Sequence, residues 1–329
     1  MKIVAMANGG FAVPALRAIH ASKHELVAVI AMPNHIKGKR AKANEPPVRI
    51  AVKNNEFPGA KFFEPENINE PEGVELVRSL DADVIFICDY GRILSKEVLL
   101  ATRLGGVNLH GSLLPKYRGA APINRAIQAG ERTLGVSVIF IEPTVDSGPV
   151  IAVDSYVPTI EETAVEIEEK LANLGAPLIV KALDQIESGE VSPIPQDPGA
   201  VSKAPKIRKE EGKIQWNATR AEIIDAYRAF QPWPRVYADW IKVNAPDAPP
   251  TRLILGPFTT DDNLNELADA IDWESRACGE VVCVTKRSLW VRVGDGLLKV
   301  CAAQPAGKKQ LEIGDFLRGY QVCLGDRFA

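Results

Sequence analysis

The first 190 residues are constrained most by a repeated alternation of two hydropathy patterns. Short apolar runs rich in β-branched residues, at residues 3–6, 26–32, 83–88, 107–110 and 136–141, read as strands buried on both faces. Stretches with helical spacing, at residues 13–19, 48–54 and 74–80, fall between them. A chain patterned this way is α/β, with a doubly wound, mostly parallel sheet. Such sheets bind ligands beyond the carboxyl ends of their strands, near a switch in strand order. The turn Asn8-Gly9-Gly10 follows the first strand but lacks the G-x-G-x-x-G pattern of a dinucleotide site. A tight turn that needs glycine is the plainer reading, beside a turn whose backbone N–H groups meet a phosphate or carboxylate.

The pattern changes further along. Thr159-Ile160-Glu161-Glu162 has capping-box spacing and predicts a helix start, with Gly175 and Pro177 expected to break or kink that helix before it resumes to Ile186. Residues 189–205 carry Pro193, Pro195, Pro198 and Pro205 with little apolar periodicity, which reads as an interdomain linker. Beyond it, one helical stretch at residues 221–230 precedes short β-like runs separated by Gly, Asp and Pro turns. That pattern suggests a small, OB-like β-barrel. The expected organisation is thus an α/β domain over 1–188, a linker over 189–205 and a β-barrel domain over 206–329. A length of 329 residues fits two domains of roughly 150 each.

Charge and cysteine content narrow the chemistry. A net charge of −3 excludes a generic polycation, so any nucleic-acid contact must come from local basic patches. Five cysteines with no C-x-x-C argue against a disulfide framework or a zinc ribbon. No apolar run approaches the ~20 residues that cross a bilayer. The opening Met1-Lys2-Ile3-Val4 reads as a strand and not as a targeting segment, so a cytoplasmic protein is expected. His20, His24, His35 and His110 form no cluster at zinc spacing, so no metal is implied.

The segment at 107–122 reads VNLHGSLLPKYRGAAP. Period-two spacing puts Asn108 and His110 on one face of a strand. A carboxamide beside an imidazole, with no Ser or Cys nucleophile in register, suits oxyanion stabilisation and proton transfer. Taken alone, such a pair at a strand end is more often hydrogen-bonded structure than catalysis. Asp146, in Thr144-Val145-Asp146-Ser147-Gly148, lies at another strand end, where it would orient His110 and favour its charged form. A turn aspartate bonding its own backbone is the plainer alternative.

Together these motifs resemble the formyltransferases that use 10-formyltetrahydrofolate. The resemblance implies a catalytic trio at Asn108, His110 and Asp146. It implies a folate-contacting loop at Ser112, Leu113, Leu114 and Pro115, and a pterin-lining segment at Tyr90, Gly91, Arg92, Ile93 and Leu94. Arg228-Ala229-Phe230-Gln231-Pro232-Trp233-Pro234, Gln304-Pro305-Ala306-Gly307-Lys308-Lys309 and Asp315-Phe316-Leu317-Arg318-Gly319 are similar to the C-terminal domain of the members that act on methionyl-tRNA. The chain departs from the family at Asn8-Gly9-Gly10 and at Ile141-Glu142-Pro143-Thr144-Val145. The implied activity is formyl transfer from 10-formyltetrahydrofolate to the α-amine of methionine on initiator tRNA, by a monomer without metal. An amino-sugar formyltransferase would share the trio but lack the C-terminal motifs, and a non-catalytic folate- or tRNA-binding protein is the alternative from another class. Lys37, Lys39, Arg40 and Lys42 in the first basic loop, and Lys206, Arg208 and Lys209 after the linker, are the expected tRNA contacts. Trp216, Trp233 and Trp240 are expected to be packing residues.

Overall fold

The computed structural model describes residues 1–34, 45–260 and 272–329. The expected tRNA contacts Lys37, Lys39, Arg40 and Lys42 lie outside the described residues. The chain divides into two compact units. The first comprises Met1–Ile123, Thr133–Pro158 and Glu166–Pro205; the second comprises Asn124–Arg132, Thr159–Val165 and Lys206–Ala329.

The first unit is built on strands β1 (Lys2–Ala7), β2 (Glu25–Ile30), β3 (Lys61–Phe63), β4 (Val84–Cys88), β5 (Gly106–His110), β7 (Leu134–Phe140) and β8 (Val150–Tyr156), with a short β6 (Arg118–Gly119) outside the main sheet. The seven main strands run in the order β3-β2-β1-β4-β5-β7-β8. Pairing is parallel from β3 to β5 and antiparallel for β7 and β8. The sheet is therefore mostly parallel, as the sequence predicts, with an antiparallel edge that the alternation did not foretell. The loop at residues 141–149 is too short for a parallel crossover, which takes about a dozen residues or more. Ile3, Val4, Ala5, Met6, Val84, Ile85 and Phe86 are fully buried, as expected of strands covered on both faces.

Helices α1 (Val13–His20), α2 (Pro47–Lys53) and α3 (Pro71–Ser79) each carry proline in the first turn, where its missing N–H costs nothing. The chain winds outward from β1 to β3 and returns to β4 beside β1. The switch in strand order therefore lies between β1 and β4. One turn of helix, α4 (Lys96–Leu99), follows β4, and α5 (Pro122–Gln128) follows β6.

Helix α6 (Ala164–Ser188) runs unbroken through Pro177, against the expected kink at Gly175 and Pro177. Gly175 serves packing: a Cβ there would lie 2.7 Å from Leu109 Cδ2 on β5. Its absence lets the helix close on the sheet, and burial of Ile167, Leu171, Ile179 and Leu183 outweighs the lost backbone bond. Thr159 N–H does reach Glu162 Oε2 at 2.5 Å, but the helix starts only at Ala164, so this box caps a turn and not the helix.

Residues 189–205, expected as a linker, belong to the first unit as far as Pro205. Ile194 and Val150 exchange backbone hydrogen bonds of 2.8 Å, and β9 (Lys203–Ala204) pairs with β6 in parallel.

In the second unit, strands β10 (Tyr237–Ile241), β11 (Thr251–Leu255), β12 (Phe258–Thr259), β13 (Val281–Val284), β14 (Leu289–Val293), β15 (Gly296–Val300), β16 (Ala302–Pro305), β17 (Leu311–Glu312) and β18 (Arg327–Phe328) form two antiparallel sheets. Their orders are β17-β16-β11-β10-β18 and β12-β15-β14-β13. Helix α7 (Arg220–Ala229) starts at a complete capping box between Thr219 and Glu222, and a helix missed in the sequence, α8 (Ile313–Gly319), follows β17. Trp216 and Trp240 are packing residues, as expected, whereas Trp233 is 52% exposed.

The segment Asn124–Arg132 is held within this unit by side chains. Asn124 Nδ2 donates to Ala229 O at 2.7 Å, and the Arg125 guanidinium grips Glu211 at 2.5 and 3.0 Å. That hydrogen bond lowers the Glu211 carboxyl from 4.5 to about 2. A depressed acid stabilises the fold above its unfolded value and loses that contribution as pH falls through its folded value. Arg125→Ala is therefore expected to destabilise the protein at neutral pH, with the gap to wild type closing between about 4.5 and about 2. Thermal melts of both proteins across that range check it; a gap independent of pH would mean that Glu211 is not the partner that matters.

Candidate active site

The carboxyl end of β5 carries Asn108 and His110 on one face, while α6 covers the Leu109 face. His110 is 5% exposed. Its register partner on β7 is Ser137, fully buried, whose hydroxyl donates to Ser112 O at 2.7 Å and accepts from Leu114 N–H at 3.0 Å. The neighbouring strand thus pins the 112–115 loop. Ser112 Oγ also donates to Lys116 O at 2.6 Å. Leu114 is buried, while Leu113 and Pro115 are half-buried.

Asp146 joins this pair from the loop between β7 and β8. Its Oδ1 accepts from Asn108 Nδ2 at 3.3 Å, and its Oδ2 accepts from Gly119 N–H at 2.9 Å. His110 Nδ1 lies 3.7 Å from the same Oδ2. His110 Nε2 is 3.0 Å from Tyr117 O. A carbonyl only accepts, so Nε2 carries the proton of that contact and Nδ1 is the nitrogen turned toward Asp146. The Asn108 amide has a second N–H beyond the one given to Asp146. The trio therefore presents one carboxamide donor and one imidazole nitrogen around a carboxylate held at both oxygens.

The 90–94 segment divides between core and surface. Tyr90 and Leu94 are 2% and 7% exposed and pack with Val4, Met6, Ile68 and Val77. Burial pushes the Tyr90 hydroxyl up to about 12. Gly91 and Arg92 are exposed, and Arg92 Nη1 donates to Asn67 Oδ1 at 2.9 Å. Ile93 is exposed. Lys206, Arg208 and Lys209 are exposed in the second unit.

Several contributors escaped the sequence reading. Tyr117 and Gly119 act through backbone groups, which carry no sequence signal. Gln196, in the presumed linker, donates from Nε2 to Asp146 O at 2.8 Å and to Gly148 O at 2.7 Å. Asp89 folds over Gly9, where a Cβ would lie 1.5 Å from Asp89 Oδ2. The absence of a side chain at Gly9 thus makes room for the Asp89 carboxylate. Loss of surrounding solvent raises the Asp89 carboxyl, and the same cause, followed by Asp89 itself, raises Glu168.

Folding also gathers His24, Asp184 and Glu187, which sequence spacing did not suggest. Both carboxylates already hold ammonium groups: Lys23 Nζ lies 3.0 Å from Asp184 and 2.9 Å from Glu187, and the Met1 amine lies 2.8 Å from Glu187. Among the described residues no helix is long and apolar enough to cross a membrane.

Residues 1–183 match the family described as formyl transferase, and residues 206–321 match the formyl transferase C-terminal domain. A methionyl-tRNA formyltransferase from Rhodopirellula baltica is 35% identical over 99% of this chain and 96% of that protein. One from Sulfurihydrogenibium is 34% identical over the full length of both chains. Among solved structures, the sugar 3N-formyl transferase WlaRD superposes with a TM-score of 0.59 at 19% identity, covering 94% of this chain and 98% of that one. HypX from Aquifex aeolicus, in complex with tetrahydrofolic acid, gives 0.58 at 15% identity, and this chain spans about half of it, 48%. At these identities the structures speak for the fold alone. The two domain matches and the full-length relatives together place the chain in the formyl transferase family, among the methionyl-tRNA formyltransferases.

Proposed function

We propose that this enzyme transfers the formyl group of 10-formyltetrahydrofolate to the α-amine of methionine esterified to initiator tRNA, in the cytoplasm and as a monomer. The observation that carries the reading is the convergence of Asn108 Nδ2 and His110 Nδ1 on Asp146, at 3.3 and 3.7 Å, inside a chain aligned end to end with enzymes of that name. The donor set suits a formyl oxygen. Ile93, exposed on the 90–94 segment, offers apolar surface for a pterin ring.

The neutral amine attacks the formyl carbon, a C–N bond forms, and the carbonyl electron pair moves to oxygen. Asn108 Nδ2 and protonated His110 Nδ1 donate to that oxyanion. Asp146 holds the imidazolium and, through a water, carries the amine proton to the folate nitrogen as the bond from that nitrogen to the formyl carbon breaks. Lys206, Arg208 and Lys209 bind tRNA phosphates as point charges.

The second unit supplies the tRNA-binding barrel, OB-like in this reading. Closure is supported by the backbone bond of 2.8 Å from Val281 N–H, on β13 of one sheet, to Asp326 O, beside β18 of the other, and by the 2.9 Å bond from Cys301 N–H to Pro257 O where β11 passes into β12 and β15 into β16.

Competition between charged initiator tRNA, charged elongator tRNA and an amino sugar tests the acceptor. Formylation of the initiator tRNA is expected to dominate; preferential formylation of the sugar would overturn the reading.

A further inference from the structure

We propose that residues 194–204 belong to the catalytic machinery, as a strap whose Gln196 and Ser202 position Asp146 and His110. The inference rests on the reading of those two residues as reacting groups.

Asp146 has φ +52 and Tyr117 φ +61, a left-handed conformation that residues other than glycine rarely adopt. Each is bonded to the strap. Gln196 Nε2 bridges Asp146 O and Gly148 O at 2.8 and 2.7 Å, holding the backbone of the catalytic loop at two points. Its Oε1 accepts from Arg118 Nε and Nη2 at 3.0 and 2.7 Å, so every polar atom of the Gln196 amide is engaged. Ser202 Oγ accepts from Tyr117 N–H at 2.8 Å, and Ser202 O accepts from Arg118 N–H at 2.9 Å. Tyr117 O is in turn the acceptor for His110 Nε2.

The third link is β9. It pairs Ala204 with Gly119, whose N–H fixes Asp146 Oδ2. Gly119, at φ +127, has no room for a side chain, since a Cβ would lie 2.6 Å from Ala204 O. Among the described residues, the side-chain and loop hydrogen-bond partners that orient Asp146 and His110 are, besides Asn108, Gln196 itself and residues 117 and 119, which the strap holds. The strap runs directly into Lys206, where the longest segment of the second unit begins.

The test uses full-length Gln196→Ala and Ser202→Ala, with Ser202→Thr as the conservative variant and Asp146→Asn as the benchmark. Misplacing a reacting group by about 1 Å costs up to about 10²-fold. Both alanine variants are therefore expected to lose roughly 10- to 100-fold in kcat. KM for folate and tRNA should change little, and the limb of the kcat–pH profile that reports His110 should shift. Ser202→Thr keeps the hydroxyl and should retain most of the activity. If Gln196→Ala does not fold, the near-isosteric Gln196→Glu, which lacks the Nε2 donors, gives the same reading. Unchanged kcat and pH profile with a lowered Tm would make the strap merely structural and overturn the proposal. A raised KM for tRNA at unchanged kcat would do so too. If Asp146→Asn is slow while Gln196→Ala turns over normally, the strap inference alone fails. Wild-type turnover from Asp146→Asn would instead remove the reading on which it rests.

Discussion

Asn108→Ala and His110→Ala are each expected to lower kcat by at least about 10²–10³-fold, the typical cost of losing one positioned oxyanion donor. Neither side chain belongs to the main apolar packing of the sheet. Asn108 is half-buried and spends one N–H on Asp146, while His110 spends Nε2 on Tyr117 O. Donors aimed where charge develops act on the transition state and not on ground-state binding. Folate affinity should therefore move far less than kcat, and each variant should melt close to wild type. Steady-state kinetics with methionyl-tRNA, beside folate titration of the same preparations, check the split. Full turnover from Asn108→Ala would remove it from the mechanism. A rise in KM without loss of kcat would reassign it to binding.

Asp326→Ala is expected to be the most destabilising substitution considered. Asp326 is 1% exposed and, among the described residues, has no cationic partner among its hydrogen-bond donors. Its carboxylate accepts from Trp240 Nε1 at 2.9 Å, Cys323 N–H at 2.9 Å and Val243 N–H at 2.8 Å, and its own carbonyl accepts from Val281 N–H at 2.8 Å. One residue thus joins the ends of β10, β13 and β18, the link to β13 running through its main-chain carbonyl. Truncation leaves the buried Trp240 Nε1, the half-buried Cys323 N–H and the N–H of the exposed Val243 without this acceptor; a buried donor left so costs about 1–3 kcal/mol. Because such losses do not add in full, the expected total is about 3–5 kcal/mol. Asp326→Asn should also destabilise, since an amide nitrogen cannot accept from any of the three. Unfolding followed by tryptophan fluorescence reads this directly, as Trp240 is one of the donors. A loss below about 1 kcal/mol would show that the three donors find other acceptors or water.

Much of the first unit was legible because its strands are buried on both faces. Such strands need uninterrupted apolar runs, and those at residues 3–6, 83–88 and 107–110 fall within, or one residue outside, β1, β4 and β5. Asn108 and His110 stood out for the same reason, as polar residues at the end of a run that otherwise admits none. Asp146 was legible as an acid in a glycine-containing loop beyond β7. The motifs shared with the formyl transferases joined the three into one set.

Other features depended on partners distant in sequence. Proline and glycine predicted a break in α6, but Gly175 is the residue that lets α6 pack against Leu109, and burial along the helix overrides local propensity. Prolines also made residues 189–205 look like a spacer, because a strap held by backbone pairing and a few side-chain bonds needs no apolar periodicity. Gln196 meets Asp146 across 50 residues of chain and Ser202 meets Tyr117 across 85. Asp326, one of many acids in turns, becomes a buried junction only when three strand ends meet around it. The sequence alone therefore determined the strands buried on both faces, though not the half-exposed β3 and β8, and it determined which residues are chemically able to react and which family they belong to, since hydropathy period and residue type are local properties. Tertiary structure alone decided what holds Asn108, His110 and Asp146 in place, because those contacts run through backbone N–H and C=O groups, which every residue except proline offers alike and which only the folded chain brings together.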